Sequence, residues 1–197
     1  MRRHRIKNRI ELKTKFWLIL VLFSFHSVAQ SSDTLQVNVD SISVDSAYKY
    51  QDVSYVQDLN PVIQSFDSLH ISIQPPLYFM KLDSVIHGFV HLGANASIMV
   101  NEVEPIILGI APYYTEKNFE DIHQKLIKKD TLYMNDGSWG FLMIVQFMEA
   151  ETNFERIVLV TPSKNKAIVV MASYPLEIRQ MLQPIFLESL KTLKVER

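Results

Sequence analysis

The chain has 197 residues, 20 basic and 21 acidic, and no cysteine. That composition excludes disulfides, zinc–thiolate sites, thiol catalysis and a lipid anchor on an N-terminal cysteine. Only five glycines are present, and none forms a phosphate-cradling loop, which argues against nucleotide binding.

In chain order, Arg2, Arg3, Arg5, Lys7, Arg9, Lys13 and Lys15 precede an apolar run over 16–23, and Ser27-Val28-Ala29 follows. A basic start, a short apolar core and small residues before a cleavage point form a secretory signal peptide. The run is too short for an ordinary membrane span. We therefore read 1–29 as a signal peptide, with no stable membrane insertion after its removal, and the mature protein as periplasmic or secreted. The leader holds seven of the basic residues and one acidic residue, Glu11. The remaining 168 residues carry 13 basic and 20 acidic side chains, a net charge of −7. Such a surface does not seek nucleic acid or anionic lipid. Its length suits one domain.

Residues 30–65 read as a flexible linker. They are rich in Ser, Asp, Gln and Tyr, contain no glycine and have Pro61 as their one proline. The alternation over 35–42 would allow a short edge strand, but a solvated tail suits the composition better. A tripeptide of Asp, hydroxyl residue and aliphatic residue recurs at Asp33-Thr34-Leu35, Asp40-Ser41-Ile42, Asp45-Ser46-Ala47, Asp67-Ser68-Leu69, Asp83-Ser84-Val85 and Asp130-Thr131-Leu132. It resembles an O-glycosylation acceptor motif of exported bacterial proteins. That resemblance makes Thr34, Ser41 and Ser46, in the accessible linker, the expected acceptors.

The ordered domain is expected over 66–197. A strand over 70–74 ends at Pro75-Pro76. The stretch 77–82 follows, and Gly88 and Gly93 mark a turn region. Residues 96–103 alternate as a strand, and 104–116 form a long connection holding Pro105, Gly109 and Pro112. Phe119, Ile122, Leu126 and Ile127 recur at helical spacing and predict a helix over 117–129. After the Asp136-Gly137 turn come three strands, 139–149, 154–162 and 166–174, with hairpin turns at 151–153 and 163–165. These strands are apolar on both faces, so the sheet must be covered on both sides. A last helix over 176–191 supplies one cover, with Pro175 in its first turn and Pro184 inside it. The fold class is α+β: an α/β/α sandwich around a largely antiparallel sheet.

Several segments then resemble a known family. They are Ile71-Ser72-Ile73-Gln74-Pro75-Pro76, Ile86-His87-Gly88-Phe89-Val90-His91, Ala96-Ser97-Ile98-Met99-Val100-Asn101-Glu102, the strands beginning at Phe154 and Ala167, and Leu187-Glu188-Ser189-Leu190. Their order, over roughly 69–195, resembles the Mog1/PsbP-like family in its bacterial exported, DcrB-like branch. The resemblance implies the same sandwich and a binding or assembly role, since family members act as accessory subunits or partners and are not generally enzymes. It supplies no catalytic residues.

The residues themselves offer few sites. His87 and His91 are the nearest histidine pair, but four residues along a strand separate them by about 13 Å at ~3.3 Å per residue, too far for one ion. A turn at Gly88 would bring the two rings together, which keeps His87 and His91 as weak metal candidates, but no metal or cofactor is expected. Tyr113 and Tyr114 follow Pro112 in the long connection, and aromatics on a rigid scaffold make good contact anchors. The function expected is that of an exported, non-enzymatic binding or assembly-accessory protein with an envelope protein as partner. A small hydrolase or metal-dependent enzyme with a loop-built site is the alternative.

The leader makes the first testable statement: N-terminal sequencing of the exported form should read from Gln30. A start at Met1 in a membrane pellet would instead show an anchored protein.

Overall fold

A computed structural model of the chain describes residues 58–83 and 86–196. The segment 1–29 read as a signal peptide, the stretch read as linker up to residue 57 and the expected acceptors Thr34, Ser41 and Ser46 lie outside them. Leu59 bridges Pro76, and strand β1 (Gln64–Phe66) opens within the stretch read as linker. β2 (Ile71–Ile73) pairs with β1 on one side and with β10 (Lys194–Val195) on the other.

The main sheet has seven strands, every neighbouring pair antiparallel. They are β3 (Met80–Asp83), β4 (His87–His91), β5 (Ala96–Val103), β6 (Gln124–Tyr133), β7 (Trp139–Glu149), β8 (Thr152–Pro162) and β9 (Ala167–Pro175). Their spatial order is β3-β4-β5-β9-β8-β7-β6. The four predicted strands over 96–103 and 139–174 thus occur within one or two residues of their expected ends. The β7–β8 hairpin turns at Ala150 and Glu151, one residue earlier than expected, with φ of 46° and 66°. Two consecutive positive φ values match the twist of the flanking strands.

One face of the sheet packs on α3 (Arg179–Lys191), which follows a 3-10 turn over Leu176–Ile178. Leu182, Ile185, Phe186 and Leu190 of that helix enter a core with Ile98, Ile157, Leu159, Ile168, Val170 and Tyr174 of the sheet. Phe66, Ile71 and Ile73 of the small sheet join the same core. Pro184 is on the exposed side of α3. The opposite face buries Met143, Val145, Val160, Val169 and Met171. There α1 (Ile106–Ile110) packs on β8 and β9.

Two sequence expectations need correction. The helix predicted over 117–129 is real only as α2 (Glu116–Glu120). His123, at φ 59°, takes the left-handed conformation that stops it, and β6 begins at Gln124. Phe119, Ile122 and Leu126 fit a helical stripe, but Gln124 and Leu126 also alternate with the exposed Lys125 and Ile127. Pairing with β7 from Gln124 to Tyr133 decides between the two periods. Gly88 is in strand β4, not in a turn: a Cβ there would collide with the Ile98 carbonyl oxygen and Met99 Sδ of β5.

At the centre of the α3 side is a fully buried carboxylate, Glu155. Tyr174 Oη donates to its Oε1 at 2.6 Å and Gln183 Nε2 at 2.7 Å. Gln146 Nε2 donates to Oε2 at 3.0 Å. Arg179 Nε approaches at 3.3 Å. Gln146, Glu155 and Tyr174 are directly opposite one another on β7, β8 and β9, while Gln183 and Arg179 come from α3. Burial and the Glu155 bond push the Tyr174 phenol well above its ordinary range.

Glu155→Ala leaves the buried Tyr174 hydroxyl and the half-buried Gln146, Gln183 and Arg179 without their shared acceptor and should cost about 3–5 kcal/mol of stability. Glu155→Gln keeps the shape but turns a donor toward donors, and should cost about 1–3 kcal/mol. Urea denaturation of both variants checks the order; equal midpoints with the unmodified protein would show that the network is idle.

Candidate functional site

The long connection between β5 and β6 is folded. α1 leads into a 3-10 turn over Ala111–Tyr113, and α2 follows. Asn118 Oδ1 accepts from both the backbone N–H and the hydroxyl of Thr115, fixing the start of α2. Ile107, Ala111 and Phe119 are buried beneath the connection.

Tyr113 and Tyr114 point differently. Tyr113 is 78% exposed. The Tyr114 ring is half-buried, edge-on to Phe119 at 6.1 Å, and burial raises its phenol pKa. Strand β6 holds this segment in place: Lys129 Nζ donates to the carbonyl oxygens of Pro112 and Tyr114, both at 2.8 Å. Between them and the sheet is a cleft of ≈ 260 Å³ with Ala111 and Pro112 on one side and Thr131, Phe141 and Met143 on the other.

The apolar surface continues past the cleft. Trp139 is edge-on to Phe141 at 5.1 Å, and Tyr133 is directly opposite Trp139 in the β6–β7 ladder. Tyr133 is 69% exposed and Trp139 37%. Sequence reasoning pointed to Tyr113 and Tyr114 and did not single out these two. The signal was available: Asp136-Gly137 makes a tight hairpin, and counting outward from it sets Tyr133 against Trp139.

This surface is suited to contact rather than reaction. Its charged side chains are committed, Lys129 to the carbonyls and Asp130 to Lys128 Nζ at 2.8 Å. The Lys128 bond, with the Thr131 backbone N–H, holds the Asp130 carboxyl below the usual range. Aromatic rings fixed on a sheet can bury large area on a partner at little entropic cost.

The histidines are elsewhere, on β4 at the other end of the sheet. His91 Nδ1 accepts from the Ala94 N–H at 3.0 Å, and its ring tilts on Phe79 at 5.5 Å. His87 faces Asp83 and Ser68, with Nδ1 3.0 Å from Asp83 Oδ1 and Nε2 3.3 Å from Ser68 Oγ. The two rings thus have separate surroundings on either side of Phe89. Among the described residues no group of three His, Asp or Glu side chains gathers as a metal site.

One further polar group belongs to the face opposite α3. Arg156 is half-buried, its Nε donates to Ser173 Oγ at 2.8 Å, and its guanidinium covers the Phe147 ring at 4.5 Å. Desolvation lowers its pKa to about 10, against the pull of Glu149, so it remains a cation at neutral pH.

No family model matches the chain, and no curated protein does. Solved structures do. The Ran-binding protein Mog1p of Saccharomyces cerevisiae superposes with a TM-score of 0.52 at 12% identity, over 70% of this chain and 96% of Mog1p. The cyanobacterial PsbP, CyanoP, of Synechocystis superposes with a TM-score of 0.51 at 13% identity, over 81% of this chain and 99% of CyanoP. At these identities the likeness is one of fold: the chain has the Mog1/PsbP-like α+β architecture.

Lys129→Ala should free the segment from Ala111 to Phe119. Because Lys129 is exposed, the loss in global stability should stay under about 1 kcal/mol. Hydrogen exchange should accelerate in 111–119 and remain unchanged in β8 and β9; uniform acceleration would show that Lys129 supports the whole sheet.

Proposed function

We propose that this is an exported binding or assembly-accessory protein of the cell envelope, which holds a protein partner through the surface formed by Tyr113, Tyr133 and Trp139. The observation that carries this reading is the exposure of these rings on a strand pair and a pinned turn. Large exposed aromatics on rigid backbone are the usual anchors of protein interfaces, and the surrounding contacts serve mainly to exclude water.

Export rests on the leader at 1–29, and fits the DcrB-like branch that the sequence resembles. The fold is compatible with a binding role, since Mog1p, which shares it, is a Ran-binding protein. Binding also suits the chemistry of the surface, whose carboxylate and ammonium groups already have partners. Tyr114 serves the interface indirectly: its ring packs on Phe119 beneath the turn that presents Tyr113.

Tyr113→Ala combined with Tyr133→Ala removes two rings that are more than two-thirds exposed. The melting temperature should barely move, and capture of an envelope partner by in-cell crosslinking should fall by roughly tenfold or more, as expected when anchors worth over about 1 kcal/mol each are lost. Undiminished capture would refute the assignment. So would early unfolding, which would place the rings in the core.

A further inference from the structure

At the β3–β4 edge, Asp83 and His87, four residues apart, are aligned with Ser68, which is distant in sequence. Asp83 ends β3 and His87 begins β4, and the register sets them directly opposite each other. Side chains so paired share one face and touch. Ser68 comes from a 3-10 turn over Asp67–Leu69, between β1 and β2. Asp83 Oδ1 is 3.0 Å from His87 Nδ1, and Ser68 Oγ is 3.3 Å from Nε2.

The surroundings hold these groups in place. The Phe66 ring stands edge-on to the imidazole at 5.6 Å. Lys81 Nζ donates to Asp83 Oδ2 at 2.6 Å and to the Ser65 carbonyl at 2.7 Å. One ammonium group thus ties β3 to the segment that carries Ser68. The Lys81 bond, followed by the His87 contact, keeps the Asp83 carboxyl below the usual range. An ionised carboxylate can only accept, so Nδ1 carries the imidazole proton. Nε2 is then the acceptor for the Ser68 hydroxyl. Ser68 is exposed and the His87 side chain is 21% exposed, so an external electrophile can reach them.

We propose that Ser68 is an activated nucleophile, with His87 as its general base and Asp83 as the positioning residue, competent to accept an acyl or phosphonyl group. Nucleophile, base and orienting group at these distances are the parts such chemistry requires. With an ester, Ser68 Oγ bonds to the carbonyl carbon and its proton passes to His87 Nε2. The C–O bond to the leaving group breaks, and the alkoxide departs as an alcohol with that proton. Water then cleaves the seryl ester by the same path. With an alkyl fluorophosphonate, the Oγ–P bond forms, the P–F bond breaks, and fluoride and the proton are released. This site is at the opposite end of the strand order from the aromatic surface and does not depend on it.

The test uses the full mature chain and a fluorophosphonate probe, read by intact mass and peptide mapping. Modification is expected at Ser68, with the also exposed Ser65 unmodified as an internal control. His87→Ala should slow labelling by roughly 10²-fold or more, and added imidazole should restore part of the rate. Asp83→Asn should slow it while leaving the melting temperature unchanged. The proposal is overturned if Ser68 of the unmodified protein is not labelled, or is labelled no faster than Ser65. It is also overturned if His87→Ala labels at the original rate, or if imidazole restores nothing in a folded His87→Ala protein.

Discussion

The structure turns on the carboxylate of Glu155. It is the one buried acidic side chain among the described residues, and a buried charge is tolerated only when its lone pairs are filled. Gln146, Tyr174, Gln183 and Arg179 fill them from two neighbouring strands and from α3. Hydrophobic contact alone would let α3 slide along an aliphatic sheet. Two directed contacts from α3 to one strand residue, those of Gln183 and Arg179, give it a single register. That register in turn sets Phe186 against Tyr174 and Phe79, with ring centroids 5.3 and 5.6 Å apart.

The next residue, Arg156, faces the other way and does a different job. Its guanidinium closes the edge of the opposite face over Phe147 and ties β8 to β9 through Ser173. Two adjacent residues of one strand therefore place opposite charges on opposite faces of an apolar sheet. The pleat that separates them also separates the two regions of interest. The cleft and its aromatic rim belong to the face that α1 covers, at the β6 edge. Ser68, His87 and Asp83 gather at the β3 edge, around Phe66 of the α3-side core.

Much of this was legible beforehand. Strands β7, β8 and β9 announce themselves because apolar residues on both faces leave no other way to bury so much surface, β5 through its alternation, and α3 through Leu182, Ile185, Phe186 and Leu190. Glu155 carried a readable signal as well: it is a lone acid at the inward position of a strand whose neighbours Ile157 and Leu159 are fully buried. The segment after Phe119 was misread because its apolar spacing satisfies two periods, and only the partner strand chooses. The surroundings of His87 were unreadable for another reason. Ser68 meets it through the fold of β1 and β2 against β4, a long-range arrangement that no local spacing encodes. Tyr113 and Tyr114 look identical in sequence; which one faces water is set by Phe119 and Lys129.

The strand order has a consequence for the life of the chain. β5, near the start of the domain, finds its inner neighbour only in β9, with Ser97 meeting Ser173. β2 waits longer still for β10, and the Gln74 backbone for hydroxyl partners at Ser189 and Thr192. Until synthesis reaches β9 and β10, the β3-β4-β5 strands and the β1–β2 pair lack the partners that close their sheets. Contacts so distant also form slowly. In a nascent chain with this topology both sheets therefore stay incomplete until the C-terminal strands have been made.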